Sequence, residues 1–120
     1  MAEMYIASDY CIIYDFSVSQ PPSFIETPDA QEVTEGDEVV LKCSVIGKPL
    51  PQISWVRNGD LVFSDDNIEV QNTEVFDDIL KAEGSLMIKD VDPKTHAGKW
   101  VIEATNEVGQ VSYEARLLGK

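Results

Sequence analysis

The 120-residue sequence contains few of the features that mark exported proteins. It has two cysteines, Cys11 and Cys43, and a single histidine, His96. None of its asparagines begins an Asn-X-Ser/Thr acceptor for N-glycosylation. The first twenty residues contain no lysine or arginine, and Ile12-Ile13 is their one pair of adjacent branched aliphatics, so they do not resemble a secretory signal. These absences favour a reducing, intracellular compartment, where disulfides are rare.

Positive charge is also scarce. Nine lysines and arginines stand against 22 acidic residues, which gives a formal net charge of −13. Because a phosphate backbone and an anionic membrane surface both repel such a chain, nucleic-acid binding and membrane binding are poor hypotheses. No apolar run approaches the roughly 20 residues that a membrane helix needs.

Sequence motifs for catalysis and cofactor binding are missing. There is no Gly-x-Gly-x-x-Gly or phosphate loop, and no histidine stands beside a serine or cysteine nucleophile. We therefore predict that the chain is not an enzyme and takes no cofactor. His96 has no second histidine or cysteine cluster to join it, so we interpret it as a partly exposed turn residue rather than a metal ligand or a pH switch.

Acidic residues concentrate between positions 60 and 83, where eight of them accompany one base, Lys81. Clustered carboxylates are what calcium requires, but the order lacks the alternating Asp-x-Asp-x-Asp-Gly pattern with a distal glutamate. We therefore predict a solvated acidic face without a metal, with a strand at residues 68–70 and a loop at residues 76–78. Five of these acids form the candidate interaction surface: Asp65, Asp66, Glu69, Asp77 and Asp78.

Short alternating apolar runs separated by turn residues make up the chain from Pro21 onwards. One run places Val39, Leu41, Cys43 and Val45 on a single strand face, and similar runs recur about every ten residues with no helical period. A chain of this length forms one domain. The pattern predicts an all-β sandwich over residues 21–120, preceded by a leader or linker over residues 1–20.

The leader is a separate compositional zone, in which Tyr5, Tyr10, Tyr14 and Phe16 stand among small and acidic residues. It is consistent with a short strand, with a linker from a preceding domain, or with an aromatic peptide that docks on a partner or on the edge of its own domain. Within the domain, residues 23–34 are predicted to form a kinked edge strand, because Pro28 interrupts them. Asn58-Gly59 predicts a tight turn, and Pro93 predicts a long turn over residues 90–97.

Several motifs in combination resemble an immunoglobulin domain of the intermediate (I) set, as found in titin, twitchin, obscurin and myosin light chain kinase. They are Glu35-Gly36-Asp37 with Leu41-Lys42-Cys43, Pro51-Gln52-Ile53-Ser54-Trp55, Ser85-Leu86-Met87-Ile88, and the run from Gly98 to Gly109. The resemblance covers residues 22–118. It implies two antiparallel sheets joined in a Greek key, with a core that includes Cys43, Trp55, Leu86, Trp100 and Ile102.

Three positions depart from the family pattern. The second cysteine of the family falls on Ile102, so the inter-sheet disulfide cannot form and Cys43 must pack as an apolar group. The tyrosine whose hydroxyl bonds the preceding corner is replaced by Trp100, which has one N–H donor and no acceptor, so the corner contact is left open. His96 replaces an acid, and no arginine stands near Ile68 to pair with it, so the buried salt bridge of the family is expected to be absent.

The resemblance implies a structural and protein-binding module of a large intracellular protein of the sarcomere. Its expected partners are other protein domains, such as neighbouring immunoglobulin or fibronectin-type modules, and the module itself is expected to be monomeric. Two alternatives remain open at the level of sequence. One is a regulatory module that flanks a kinase or exchange-factor domain, and the other is an extracellular adhesion or receptor domain.

Overall fold

A computed structural model of the chain describes residues 18–77 and 79–119. These residues form nine strands and one short helix. The elements, in chain order, are β1 (Gln20–Glu26), β2 (Gln31–Val33), β3 (Val39–Lys48), β4 (Gln52–Arg57), β5 (Asp60–Leu61), β6 (Ile68–Phe76), β7 (Leu80–Ile88), α1 (Pro93–His96), β8 (Gly98–Thr105) and β9 (Gln110–Gly119). The leader predicted over residues 1–20 falls almost entirely outside the described residues, and β1 begins at its last position.

The strands form two sheets packed face to face, which confirms the predicted sandwich. One sheet has the order β1-β3-β7-β6 and the other β2-β9-β8-β4-β5. Neighbouring strands are antiparallel except for β2, which pairs in parallel with β9. The three-residue strand β2 is thus the one exception to the predicted antiparallel pairing among the described residues. The predicted kinked strand is in fact two strands, because the chain crosses from one sheet to the other around Pro28 and continues in the same direction beside β9.

The core lies between the inner faces of the two sheets, where the alternation in the sequence places it. Every second residue of β3 from Val39 to Val45 is buried, and so are Trp100, Ile102 and Ala104 of β8. Full burial of a large apolar side chain contributes about 1.5–3 kcal/mol. Ser44 breaks the pattern, because it points to the outer face and is nevertheless buried, with its hydroxyl 3.1 Å from Glu26 Oε1.

Strand β6 is longer than the sequence indicates. The sequence predicts a strand only at residues 68–70, whereas β6 continues to Phe76. The middle of β6 is polar because the strand is at a sheet edge. The Asn72 side chain points inward, and its Nδ2 donates to the carbonyl of Ile53 in the facing sheet at 3.1 Å. The predicted Asn58-Gly59 turn is present between β4 and β5, with both residues at positive φ (53° and 85°).

The predicted turn around Pro93 contains the one-turn helix α1. Proline suits the first helical position because its missing N–H would have had no partner there. Asp92 caps the helix, since its carboxylate accepts the N–H of Lys94 at 3.1 Å and the hydroxyl of Thr95 at 3.1 Å. The helix ends at His96, directly before β8, and so sets the position of the corner that precedes Trp100.

Candidate interaction surface

The four sheet edges are the strands that present unpaired backbone groups for binding. They are β1 and β6 in one sheet and β2 and β5 in the other. β5 has two residues and β2 has three, so neither offers a long template. β1 is irregular, because its register against β3 shifts twice and it contains Pro21 and Pro22, which have no N–H. Strand β6, with nine residues, is the longest regular edge.

The first half of β6 is covered by the chain that leads into it. The Ser64 hydroxyl accepts the N–H of Val70 at 2.9 Å, and the N–H of Asp65 donates to the carbonyl of Ile68 at 2.8 Å. Within the described part of the chain, no strand lies beside the second half, from Gln71 to Phe76. We call residues 71–76 the open β6 edge. It is the segment best placed to accept an added strand.

Four of the five acidic residues predicted as an interaction surface are among the described residues, and these four do not lie together. Asp65, Asp66 and Glu69 are at the start of β6, whereas Asp77 follows its end. The eight residue steps from Ile68 to Phe76 correspond to about 26 Å at roughly 3.3 Å per residue. Asp78 is outside the described residues. The acids therefore form two separate groups at opposite ends of the open β6 edge rather than one acidic face.

The acids of these two groups also make local contacts. Asp65 Oδ1 accepts the N–H groups of Asn67 and Ile68, both at 2.8 Å, and these bonds hold the pKa of the Asp65 carboxyl below its usual value. Glu69 accepts a hydrogen bond from Gln71 Nε2 at 2.9 Å, and Asp77 lies 3.4 Å from Lys81 Nζ. Asp65 thus shapes the turn before β6, and its availability to a partner is limited.

The thiol of Cys43 is buried and free. Cys43 belongs to the same buried core cluster as Trp55 and Ile102, which lie on the facing sheet. Desolvation raises the pKa of the Cys43 thiol to about 11, so it stays protonated at neutral pH and is a poor nucleophile. Leu86 and Trp100, also expected in the core, are buried there as well. Cys11 lies outside the described residues.

The corner before β8 differs from the expectation in two respects. His96 is 9% exposed and therefore buried, and its Nδ1 accepts the N–H of Asp92 at 2.9 Å, so the prediction of a partly exposed turn residue is wrong. Trp100 Nε1 donates to the carbonyl of His96 at 2.8 Å. The corner contact is thus made, with an indole N–H in the place of a tyrosine hydroxyl.

Sequence reasoning missed Arg57, the last residue of β4. Its guanidinium donates to three carbonyls of the corner, those of Thr95 (2.8 Å), Ala97 (2.7 Å) and Lys99 (2.8 Å). It also lies over the Trp100 ring, with Cζ 4.7 Å from the centroid. The planar fork of arginine suits several acceptors at once. Arg57 therefore joins β4 to the corner without the acid that the family uses.

No group of three or more His, Cys, Asp or Glu residues in the ranges 18–77 and 79–119 is arranged to hold a metal ion. None of the helices found there is long and apolar enough to cross a membrane.

Comparison with known proteins places residues 22–118 on the family model described as the immunoglobulin I-set domain. The chain is 31% identical over 100 residues to titin of Drosophila melanogaster, covering 83% of the chain and, to the nearest percent, 0% of titin. It is 35% identical over 97 residues to human myotilin (80% of the chain, 18% of myotilin). It is also 30% identical over 104 residues to neogenin of Rattus norvegicus (87% and 7%). The chain spans less than a fifth of each of these proteins.

Solved structures of titin domains share the fold. A complex of titin with an obscurin-like immunoglobulin domain matches with a TM-score of 0.68 and 29% identity, over 84% of this chain and 95% of the other. The titin domains Z1Z2 in complex with telethonin match with a TM-score of 0.69 and 28% identity, over 86% and 49%.

Proposed function

Because the chain belongs to the immunoglobulin I-set family, we propose that it is a structural and protein-binding module of a larger intracellular muscle protein. In this role the sandwich spaces neighbouring domains and offers its edges to other sarcomeric proteins. Its similarity to titin and to myotilin supports this role.

The observation that carries the proposal is the buried, unpaired Cys43 facing a core that contains Ile102 in place of a second cysteine. A sandwich of this type can be stable in a reducing compartment, because its core depends on apolar packing and not on a disulfide. A secreted domain of about one hundred residues gains about 2–4 kcal/mol from such a bridge. The intracellular setting therefore suits the core that this chain has.

The docking surface that we propose is the open β6 edge, with the exposed outer side of β1 as the second candidate. Backbone groups of an edge strand bind an extended partner by strand addition. The two acidic groups at the ends of the open β6 edge, together with the net charge of −13, favour a partner that carries basic residues. The titin complexes with an obscurin-like immunoglobulin domain and with telethonin support a partner that is another protein.

This proposal can be tested by expressing the chain, fused to a fluorescent protein, in cultured striated muscle cells. We expect periodic striations that coincide with one sarcomeric band. Glu74→Lys in the open β6 edge and Ile25→Asp in β1 change the two candidate edges, and Glu114→Lys and Leu118→Asp are matched controls on β9. Each variant is first checked for an unchanged melting temperature. A diffuse distribution of the unaltered chain, or an equal loss of striation in edge and control variants, would contradict the proposal.

An extracellular receptor or adhesion domain is the second candidate, since neogenin matches over 87% of the chain. The two candidates differ in the state of Cys43. Thiol labelling after denaturation of protein from its native source is expected to find Cys43 reduced. Recovery of Cys43 in a disulfide would favour the extracellular candidate.

A further inference from the structure

The end of the sandwich at which β1 begins has an uncovered apolar groove. The groove has a volume of about 420 Å³, and Val18, Leu50 and Leu80 are among the residues that line it. Next to Leu80 lie its cross-strand partner Phe76, which is 75% exposed, and Ile79, which is 47% exposed. Three large apolar side chains are thus exposed together at the tip of the β6–β7 hairpin. We call this surface the end groove.

The end groove continues the core-facing side of the β6–β7 hairpin. Burial alternates along β7, so Leu80 shares a face with Ala82 and Gly84, which are buried. Ile53 of the other sheet covers Gly84 so closely that an added Cβ would lie 3.1 Å from Ile53 Cγ2. Strand β4 begins one residue earlier, at Gln52, and no strand of the facing sheet extends over Leu80 within the described residues. Leu80 and Phe76 therefore have the position of core residues without a facing layer.

The charge at the end groove differs from that of the whole chain. One base, Lys48, and one acid, Glu107, line it, so the groove is locally neutral although the chain carries −13. Lys48 makes no ion pair among the described residues. An apolar segment with a single carboxylate can approach this end without the repulsion that the rest of the surface imposes.

We propose that the end groove is the docking site of residues 12–16 of the same chain. This stretch reads Ile-Ile-Tyr-Asp-Phe and stands immediately before Ser17 and Val18, and Val18 itself lines the groove. Six residues of extended chain span at most about 20 Å. Because Val18 and Leu80 line the same groove, the tether between residues 12–16 and the groove is short. In the docked arrangement Phe16 and Ile13 cover Leu80 and Phe76, and Asp15 pairs with Lys48.

Covalent attachment favours this occupant over a separate protein. A segment tethered at Val18 acts at an effective concentration in the millimolar range, without the loss of translational freedom that a second molecule incurs. The inference does not depend on the proposed muscle role, since it concerns contacts within one chain.

Cys11 provides a direct test in the full-length chain. The variant Ile79→Cys adds one thiol at the hairpin tip, and the variant Leu118→Cys adds one near the opposite end of the sandwich. The two positions have nearly equal exposure, 47% for Ile79 and 46% for Leu118. Cys43 does not interfere, because it is buried and its pKa is raised to about 11. Each variant is equilibrated in a glutathione redox buffer. The bridge between Cys11 and the introduced thiol is quantified by peptide mapping without reduction.

We expect the effective concentration of the two thiols to be at least about tenfold higher for Ile79→Cys than for Leu118→Cys. Adding Ile13→Ser and Phe16→Ser to Ile79→Cys should abolish this excess, whereas adding Ile6→Ser should not. Equal effective concentrations at the two positions would overturn the proposal. Bridges mainly between two molecules would also overturn it, and would identify a second copy as the occupant.

Discussion

The Arg57→Ala substitution removes three hydrogen bonds and a cation–π contact in one step. Arg57 donates to the carbonyls of Thr95, Ala97 and Lys99 and lies 4.7 Å from the Trp100 centroid. Buried hydrogen bonds from a charged donor contribute about 1.5–3 kcal/mol each, and exposed ones contribute less. Two of the three bonds are exposed, and water can replace them. The part-buried bond to Ala97 and the ring contact therefore dominate the loss.

We expect Arg57→Ala to lower the free energy of unfolding by about 2–4 kcal/mol, since the partly buried bond contributes about 1.5–3 and the ring contact about 0.5–1. For a domain of about 100 residues, each kilocalorie shifts the melting temperature by about 4–8 °C. Urea unfolding followed by circular dichroism measures the change without depending on the fluorescence of Trp100, which the substitution itself alters.

Two further variants separate the loss of the Arg57 hydrogen bonds and ring contact from a general effect of removing a positive charge. Arg116→Ala removes an exposed arginine whose nearest acid, Glu114, is 3.9 Å away, so its effect is expected to stay within about 0.5 kcal/mol. Arg57→Lys keeps the charge but not the fork, and should recover less than half of the loss. A free energy of unfolding for Arg57→Ala within about 0.5 kcal/mol of that of the unaltered protein would refute this role of Arg57. An Arg57→Lys variant as stable as the unaltered protein would refute it as well.

Four other outcomes are expected. Ile102→Ala should lower the free energy of unfolding by about 2–5 kcal/mol in urea melts, because it opens a cavity beside Cys43, and a change below about 0.5 kcal/mol would refute the role of Ile102 in the core. The pKa of the Cys43 thiol is raised to about 11 in the folded state, so the thiol's contribution to stability is constant below about pH 9 and is lost as the pH rises towards 11. Between pH 9 and 11 the free energy of unfolding from urea melts should therefore fall more for the unaltered protein than for Cys43→Ala. Because the pKa of Asp65 is lowered in the folded state, the Asp65 carboxylate stabilises the fold above the usual aspartate pKa of about 3.9. This stabilisation is lost as the pH falls through the lowered pKa. The difference in free energy of unfolding between the unaltered protein and Asp65→Asn should therefore vanish in acid. Asp92→Ala should lower the free energy of unfolding by about 0.5–2 kcal/mol through the loss of the α1 cap, whereas Asp60→Ala, outside the helix, should have little effect.

The fold followed from local pattern wherever one strand face is buried. The alternation of Val39, Leu41, Cys43 and Val45 set the inner face of β3. The resemblance to the I-set family, and not the local pattern, placed Ile102 at the second cysteine position and so implied that no inter-sheet disulfide forms. The pattern failed for β6, because an edge strand buries little on either face and its polar residues read as a loop. The parallel pairing of β2 with β9 joins residues more than 80 positions apart, which a local pattern does not encode.

The interaction surface and the corner were predicted less well for a similar reason. Asp65, Asp66 and Glu69 are near Asp77 in sequence but separate from it in space, because the extended strand β6 lies between them. Arg57 lies about 40 positions before the carbonyls that it binds, and backbone acceptors leave no mark in the sequence. The buried state of His96 depends on the one-turn helix α1, whose start could have been read from Asp92-Pro93 as a cap followed by a first-turn proline.

The central claim is that this sandwich is held by apolar packing around a free Cys43 and needs no disulfide. The most direct test is the urea midpoint of the full chain, measured with and without a strong thiol reductant at neutral pH. Equal midpoints are predicted, because neither state contains a bridge to Cys43. A midpoint that falls on reduction would show that Cys43 is bridged in the folded protein, and would contradict the account of the core and of the compartment in which the module works.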